Sequence, residues 1–75
     1  MEDGVKLFGP AYPTLRTVIV NLKTGKAFRG VLWQRTREYV LLRQAELLRE
    51  HEAALGMDGE VLVYSAEVEF MQVVR

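Results

Sequence analysis

The sequence predicts an all-β fold, with small α content allowed: five short antiparallel strands bent strongly into an SH3-like open barrel. Three observations carry this expectation. From Arg16 onward, β-branched and aromatic runs of strand length alternate with polar, Gly-bearing breaks. The chain has only 75 residues, too few for a two-sheet sandwich of ordinary size. Gly30 interrupts one of the strands, and a glycine there marks a bulge, a tight bend or the close approach of another backbone.

The elements follow in chain order. Residues 1–14, "MEDGVKLFGPAYPT", hold two Pro and two Gly without a sustained period and read as an extended N-terminal arm. Residues 15–75 are expected to form a single barrel domain. In it "RTVIVNL" is the first strand, "KTGK" a turn built on Gly25, and "AFRGVLWQR" the second strand. The polar break "QRTRE" leads to "YVLLRQAELL", a third strand partly buried on both faces. Residues 45–56, "AELLREHEAALG", are rich in helix formers and end in Gly56, so Leu47, Leu48, His51, Ala54 and Leu55 would share one helical face. A strand giving way to a helical turn or loop fits the same residues. "DGE" is a turn, "VLVYS" the fourth strand, "AE" a tight corner and "VEFMQVV" the closing strand.

Composition narrows the function classes. An apolar share of 49% is too high for a disordered tail, yet no apolar run is long enough to span a membrane, so a soluble, cytoplasmic protein is expected. No basic start leads into a hydrophobic stretch, so a signal peptide is not expected. Without cysteine there are no disulfides or thiolate metal sites. Alone, so small a domain buries only about 60% of its unfolded surface, and self-association would help it. Ten basic and ten acidic side chains give net charge zero, so any nucleic-acid binding must be local.

At this point the residues resemble a family. Leu22, Gly25, Gly30 and Leu32, then "YVLLRQAE", a variable loop and the terminal pair "EVLVYSAEVEFMQVV", are similar to the Sm-like (LSm/Hfq) family over roughly residues 16 to 74. The resemblance implies an open barrel of Sm type, possibly in a bacterial or phage-encoded member. It also implies a homo-oligomeric ring of roughly five to seven subunits, joined through edge strands that would otherwise invite aggregation. In the family's pattern an Asp and an Asn in one loop and an Arg-Gly pair in another form a pocket for an RNA base, often uracil. Here Thr36 falls at the Asp place, and Val40 or, with one residue deleted from the loop, Tyr39 at the Asn place; Tyr64 and Ser65 replace Arg and Gly. The resemblance therefore carries fold and assembly, and not uridine recognition.

The candidate RNA-binding residues are Arg35, Arg37, Tyr39, Tyr64 and Ser65, in the two loops that surround the family's pore. Aromatic rings and guanidinium groups hold single-stranded bases by stacking without reading sequence. The competing reading makes Tyr39 a sheet residue packed on its neighbours and the arginines a solvated loop. Trp33 is expected in the core or at a subunit contact, with an exposed stacking platform as the alternative. His51, between Glu50 and Glu52, lacks the further ligands of a metal site and is expected on an exposed helix. No catalytic residue, cofactor, metal or small-molecule substrate is expected: there is no Cys, no second His, no Ser beside a base, and no phosphate-cradling glycine pattern. The second function class is a phage or bacterial structural or assembly ring that binds no RNA. Neutral net charge, the altered base pocket and the acidic stretch from Glu46 to Glu60 favour it.

Overall fold

The structure, a computed structural model, describes residues 15–74. The expected arm, residues 1–14, lies outside the described residues. Six strands follow one another: β1 (Thr17–Leu22), β2 (Ala27–Arg35), β3 (Tyr39–Leu48), β4 (Leu55–Gly56), β5 (Glu60–Tyr64) and β6 (Val68–Val73). A 3-10 turn at Ser65–Glu67 joins the last two. All pairings are antiparallel, in the order β4-β3-β2-β1-β6, with β5 also on β3. The all-β, bent and unclosed sheet is the one expected.

Alternation dictates what this sheet encloses. Val18 and Val20 of β1, Leu32 of β2, Val40, Leu42 and Ala45 of β3, and Val63 of β5 form the buried core. Phe28, Met57, Val61, Val68, Met71 and Val73 pack around it. The first hairpin turns through Lys23–Gly25, where Gly25 N–H donates to the Leu22 carbonyl at 2.9 Å and Leu22 N–H to the Lys26 carbonyl at 2.8 Å. Gly25 has φ +94, the left-handed geometry that a three-residue hairpin loop requires at its last position.

Two bulges bend the long strands. Arg29 pairs with Glu46 and Val31 with Arg43, so β3 carries one extra residue opposite Gly30; this is where Gln44 sits at φ +52. Leu32 pairs with Leu42 and Gln34 with Leu41, which makes Trp33 the extra residue of β2. Gly30 is buried beneath the first bulge. A Cβ there would lie 3.1 Å from Ala45 Cα and 3.1 Å from the Arg43 carbonyl oxygen. Close backbone approach is therefore what demands glycine.

The helical reading of 45–56 is corrected. β3 continues through Leu48, because the extra residue at Gln44 resets the alternation and turns Ala45 into the core. Leu47 then pairs with Phe28 on one side and Leu55 on the other, and this cross-strand packing outweighs helix propensity. Residues 49–54 form an exposed loop, in which Arg49 donates to the Ala53 carbonyl and pairs with Glu52. His51 is exposed there, in a loop and not on a helix. Five expected strands become six because Leu55–Gly56 and Glu60–Tyr64 pair with β3 as two separate pieces. The expected "AE" corner is the 3-10 turn, which takes Ser65 out of the strand.

Candidate nucleic-acid interface

The candidate residues collect at one end of the sheet. Thr36, Arg37 and Glu38 connect β2 to β3, and the Ser65–Glu67 turn connects β5 to β6. The two loops are stitched together: Ser65 N–H donates to the Glu38 carbonyl at 2.7 Å. Beside this bond Tyr39 and Tyr64 are direct cross-strand partners. Their neighbours Val40 and Val63 are buried, so alternation turns both tyrosines to the outer face of the sheet. Tyr64 is 64% exposed, while Tyr39 is half-buried.

The first loop is closed on itself by its own donors. Thr36 Oγ1 accepts from the backbone N–H groups of Glu38 and Tyr39, both at 3.1 Å. Thr36 N–H donates to the Tyr39 carbonyl at 2.9 Å. This side-chain acceptor is the reason a threonine serves in so tight a turn. Arg37 stands exposed at the loop. Arg35 is separated from the tyrosines: it partners Val40, so it projects from the core-facing side of the sheet, and its Nε is buried. Ser65 Oγ is also buried, without a hydrogen-bond partner among the described residues.

The sequence reading missed a neighbouring cluster. The Arg43 guanidinium lies 3.8 Å from the centroid of the Trp33 ring, and Arg43 Nε donates to Glu60 Oε2 at 2.8 Å. Trp33, expected in the core or at a contact, is 43% exposed on this chain, since alternation with buried Leu32 turns it to the outer face. Arg43 alternating with buried Leu42 signalled only an outward side chain; its partners depend on registers that sequence does not disclose. Glu60, part of the acidic stretch, is neutralised by this pair. Among the described residues no three His, Asp or Glu side chains gather to hold a metal ion, and no helix is long and apolar enough to cross a membrane.

No family model and no curated protein matches the chain. Solved structures do. The P. aerophilum SmAP1 heptamer matches with a TM-score of 0.79 and 20% identity, covering 100% of this chain and 99% of that one. The chain has the Sm fold. A Pyrococcus abyssii Sm protein in complex with a uridine heptamer matches with a TM-score of 0.75 and 23% identity, over 97% of this chain and 100% of that one. A chain of the NatC complex bound to CoA matches at 0.72 and 22%, over 89% of this chain and 86% of that one. Tyr39, with Val40 one of the two residues expected at the family's Asn place, is in register with Tyr64, expected at its Arg place.

Proposed function

We propose that this chain assembles into a homo-oligomeric ring and binds single-stranded RNA at the joined loops 36–38 and 65–67. The observation that carries the assembly is a pair of open sheet edges. Among the described residues β5 pairs only with β3 and β6 only with β1, so each offers an outer edge. Neither strand contains Lys or Pro, the residues that commonly guard an edge. Leu62 on β5 and Phe70 on β6 are 46% and 52% exposed. Pairing β5 of one copy with β6 of the next is a heterologous contact, and such contacts form a ring when the rotation between copies closes.

RNA binding is supported by the side chains that repetition around a ring would concentrate. Arg37 supplies an exposed charge for phosphate, and Tyr39 and Tyr64 supply aromatic faces, while Arg35 lies on the opposite side of the sheet. An Sm protein bound to a uridine heptamer shows that the fold can take RNA. Native mass spectrometry on protein purified without nuclease tests both parts. A closed ring carrying nucleotide mass is expected, with RNA affinity that falls as salt rises and with Arg37→Ala. A monomer overturns the assembly.

One observation favours a second reading, a protein-assembly subunit that binds no RNA: a chain with this fold occurs in the NatC complex. Net charge zero agrees with it. A clean ring or heteromer with no salt-dependent RNA affinity would decide for that reading.

A further inference from the structure

Resting on the RNA-binding reading, we infer that the protein reads bases by stacking on the Tyr39–Tyr64 pair, with no preference for uracil and with purines bound at least as tightly as pyrimidines. Base identity is read by hydrogen bonds to base edges, and four backbone donors at this end of the sheet are already committed. Thr36, Glu38, Tyr39 and Ser65 each give their backbone N–H to another group within the two loops. Thr36 Oγ1 accepts twice in the same turn, and Ser65 Oγ is buried. The Arg43 guanidinium, further along the outer face, is held between Trp33 and Glu60.

What the loops still offer is aromatic surface. Tyr64 is well exposed, its cross-strand partner is a second tyrosine on the same face, and Arg37 is free of the sheet. Every base has a π-face, so such a platform tolerates sequence, and what preference it has follows stacking strength; the two fused rings of a purine lay more area on a tyrosine face than the single ring of a pyrimidine. The phenol hydroxyls of the tyrosines can each both donate and accept, so they do not select one base edge over another.

The experiment measures fluorescence anisotropy of labelled oligo(A), oligo(C) and oligo(U) RNA, each about 12 nucleotides long, against the assembled protein. It uses wild type, Tyr64→Phe, which keeps the ring, and Tyr64→Leu, which keeps apolar bulk on β5 without an aromatic face. Native mass spectrometry of each variant confirms assembly. Oligo(A) is expected to bind at least as tightly as oligo(U), Tyr64→Phe to hold that affinity, and Tyr64→Leu to weaken all three by about tenfold. Oligo(U) bound tenfold more tightly than oligo(A) overturns the inference and leaves RNA binding standing, as does an assembled Tyr64→Leu with unchanged affinities. Binding of none of the three overturns the RNA reading and the inference with it. If Tyr64→Leu loses assembly, Tyr39→Leu carries the same test from the other side of the pair.

Discussion

The guanidinium of Arg43 stacks 3.8 Å from the centre of the Trp33 ring while donating to Glu60 at 2.8 Å. One arginine thereby ties the bulged residue of β2 to the edge strand β5 across β3. Planar stacking combined with a directed N–H bond is something lysine cannot reproduce.

Replacing Arg43 tests the strength of that tie. The cluster is on the surface, where a cation–π contact contributes about 0.5–1 kcal/mol and an ion pair about 0–1 kcal/mol. Arg43→Ala is expected to lower stability by about 1 kcal/mol in urea unfolding and to alter Trp33 fluorescence in the folded state. Arg43→Lys is expected to keep the charge and still show the altered fluorescence. An unchanged emission spectrum in both variants would contradict the stacked geometry.

Gly30 predicts a larger effect. An added Cβ meets backbone atoms of the bulged strand at 3.1 Å, and backbone cannot step aside as a flexible side chain can. Gly30→Ala is expected to destabilise by about 1–3 kcal/mol, and Gly30→Val to prevent correct folding or assembly. Gly56→Ala is the control, since a Cβ there meets nothing within 4 Å and φ is not in the left-handed region; it is expected to be neutral or slightly stabilising. Thermal melts and size-exclusion chromatography rank the three, and a soluble, assembled Gly30→Val protein would refute the account.

Gln44 holds its bulge in the left-handed region at φ +52, a conformation costing an L-residue about 1–2 kcal/mol. Its side chain is exposed, so substitution there reports on backbone geometry. Gln44→Val is expected to lose about 1 kcal/mol or more, because β-branching worsens the crowding, whereas Gln44→Gly and Gln44→Asn should equal or exceed wild type. Chemical denaturation gives the order. Valine tolerated as well as glycine would mean a different backbone at this position.

Thr36 organises the loop between β2 and β3 by accepting two backbone N–H groups. Thr36→Val keeps the shape and removes the acceptor. About 1–3 kcal/mol of stability is expected to go with it, at roughly 0.5–1.5 kcal/mol for each of the two net hydrogen bonds, and Thr36→Ser should recover most of it. Hydrogen exchange at the Glu38 and Tyr39 amides provides the local readout, and protection unchanged in Thr36→Val would contradict these bonds.

Assembly through the edges makes its own demand. Phe70→Glu on β6 and Leu62→Lys on β5 each put a charge on an exposed apolar position of an open edge. Under the proposed ring, each variant alone is expected to fall to smaller species in light scattering while retaining the β-sheet circular dichroism of the wild type. A ring that survives both changes would place the subunit contact elsewhere.

Most of the strands and their inward faces follow from alternation in the sequence. Val18 and Val20, Val40 and Leu42, and Val61 and Val63 alternate with outward residues, and a period of two leaves one way to bury them. Gly25 announced its turn, and Gly30 announced a bulge, a bend or a close approach, among which the backbone of Arg43 and Ala45 decides. Arg35, Arg37, Tyr39, Tyr64 and Ser65 are expected together through the resemblance of the strands around them, and Arg35 falls on the opposite side of the sheet from the tyrosines. Tertiary structure alone decided how the strands meet. The extra residues at Gln44 and Trp33 shift register, and a shift of one residue changes which side chains face each other and on which side of the sheet. That is why β3 runs on through a helix-prone stretch and why Arg35 projects from the opposite face to Tyr39 and Tyr64. Register is set by packing between segments far apart in the chain, and no local pattern encodes it.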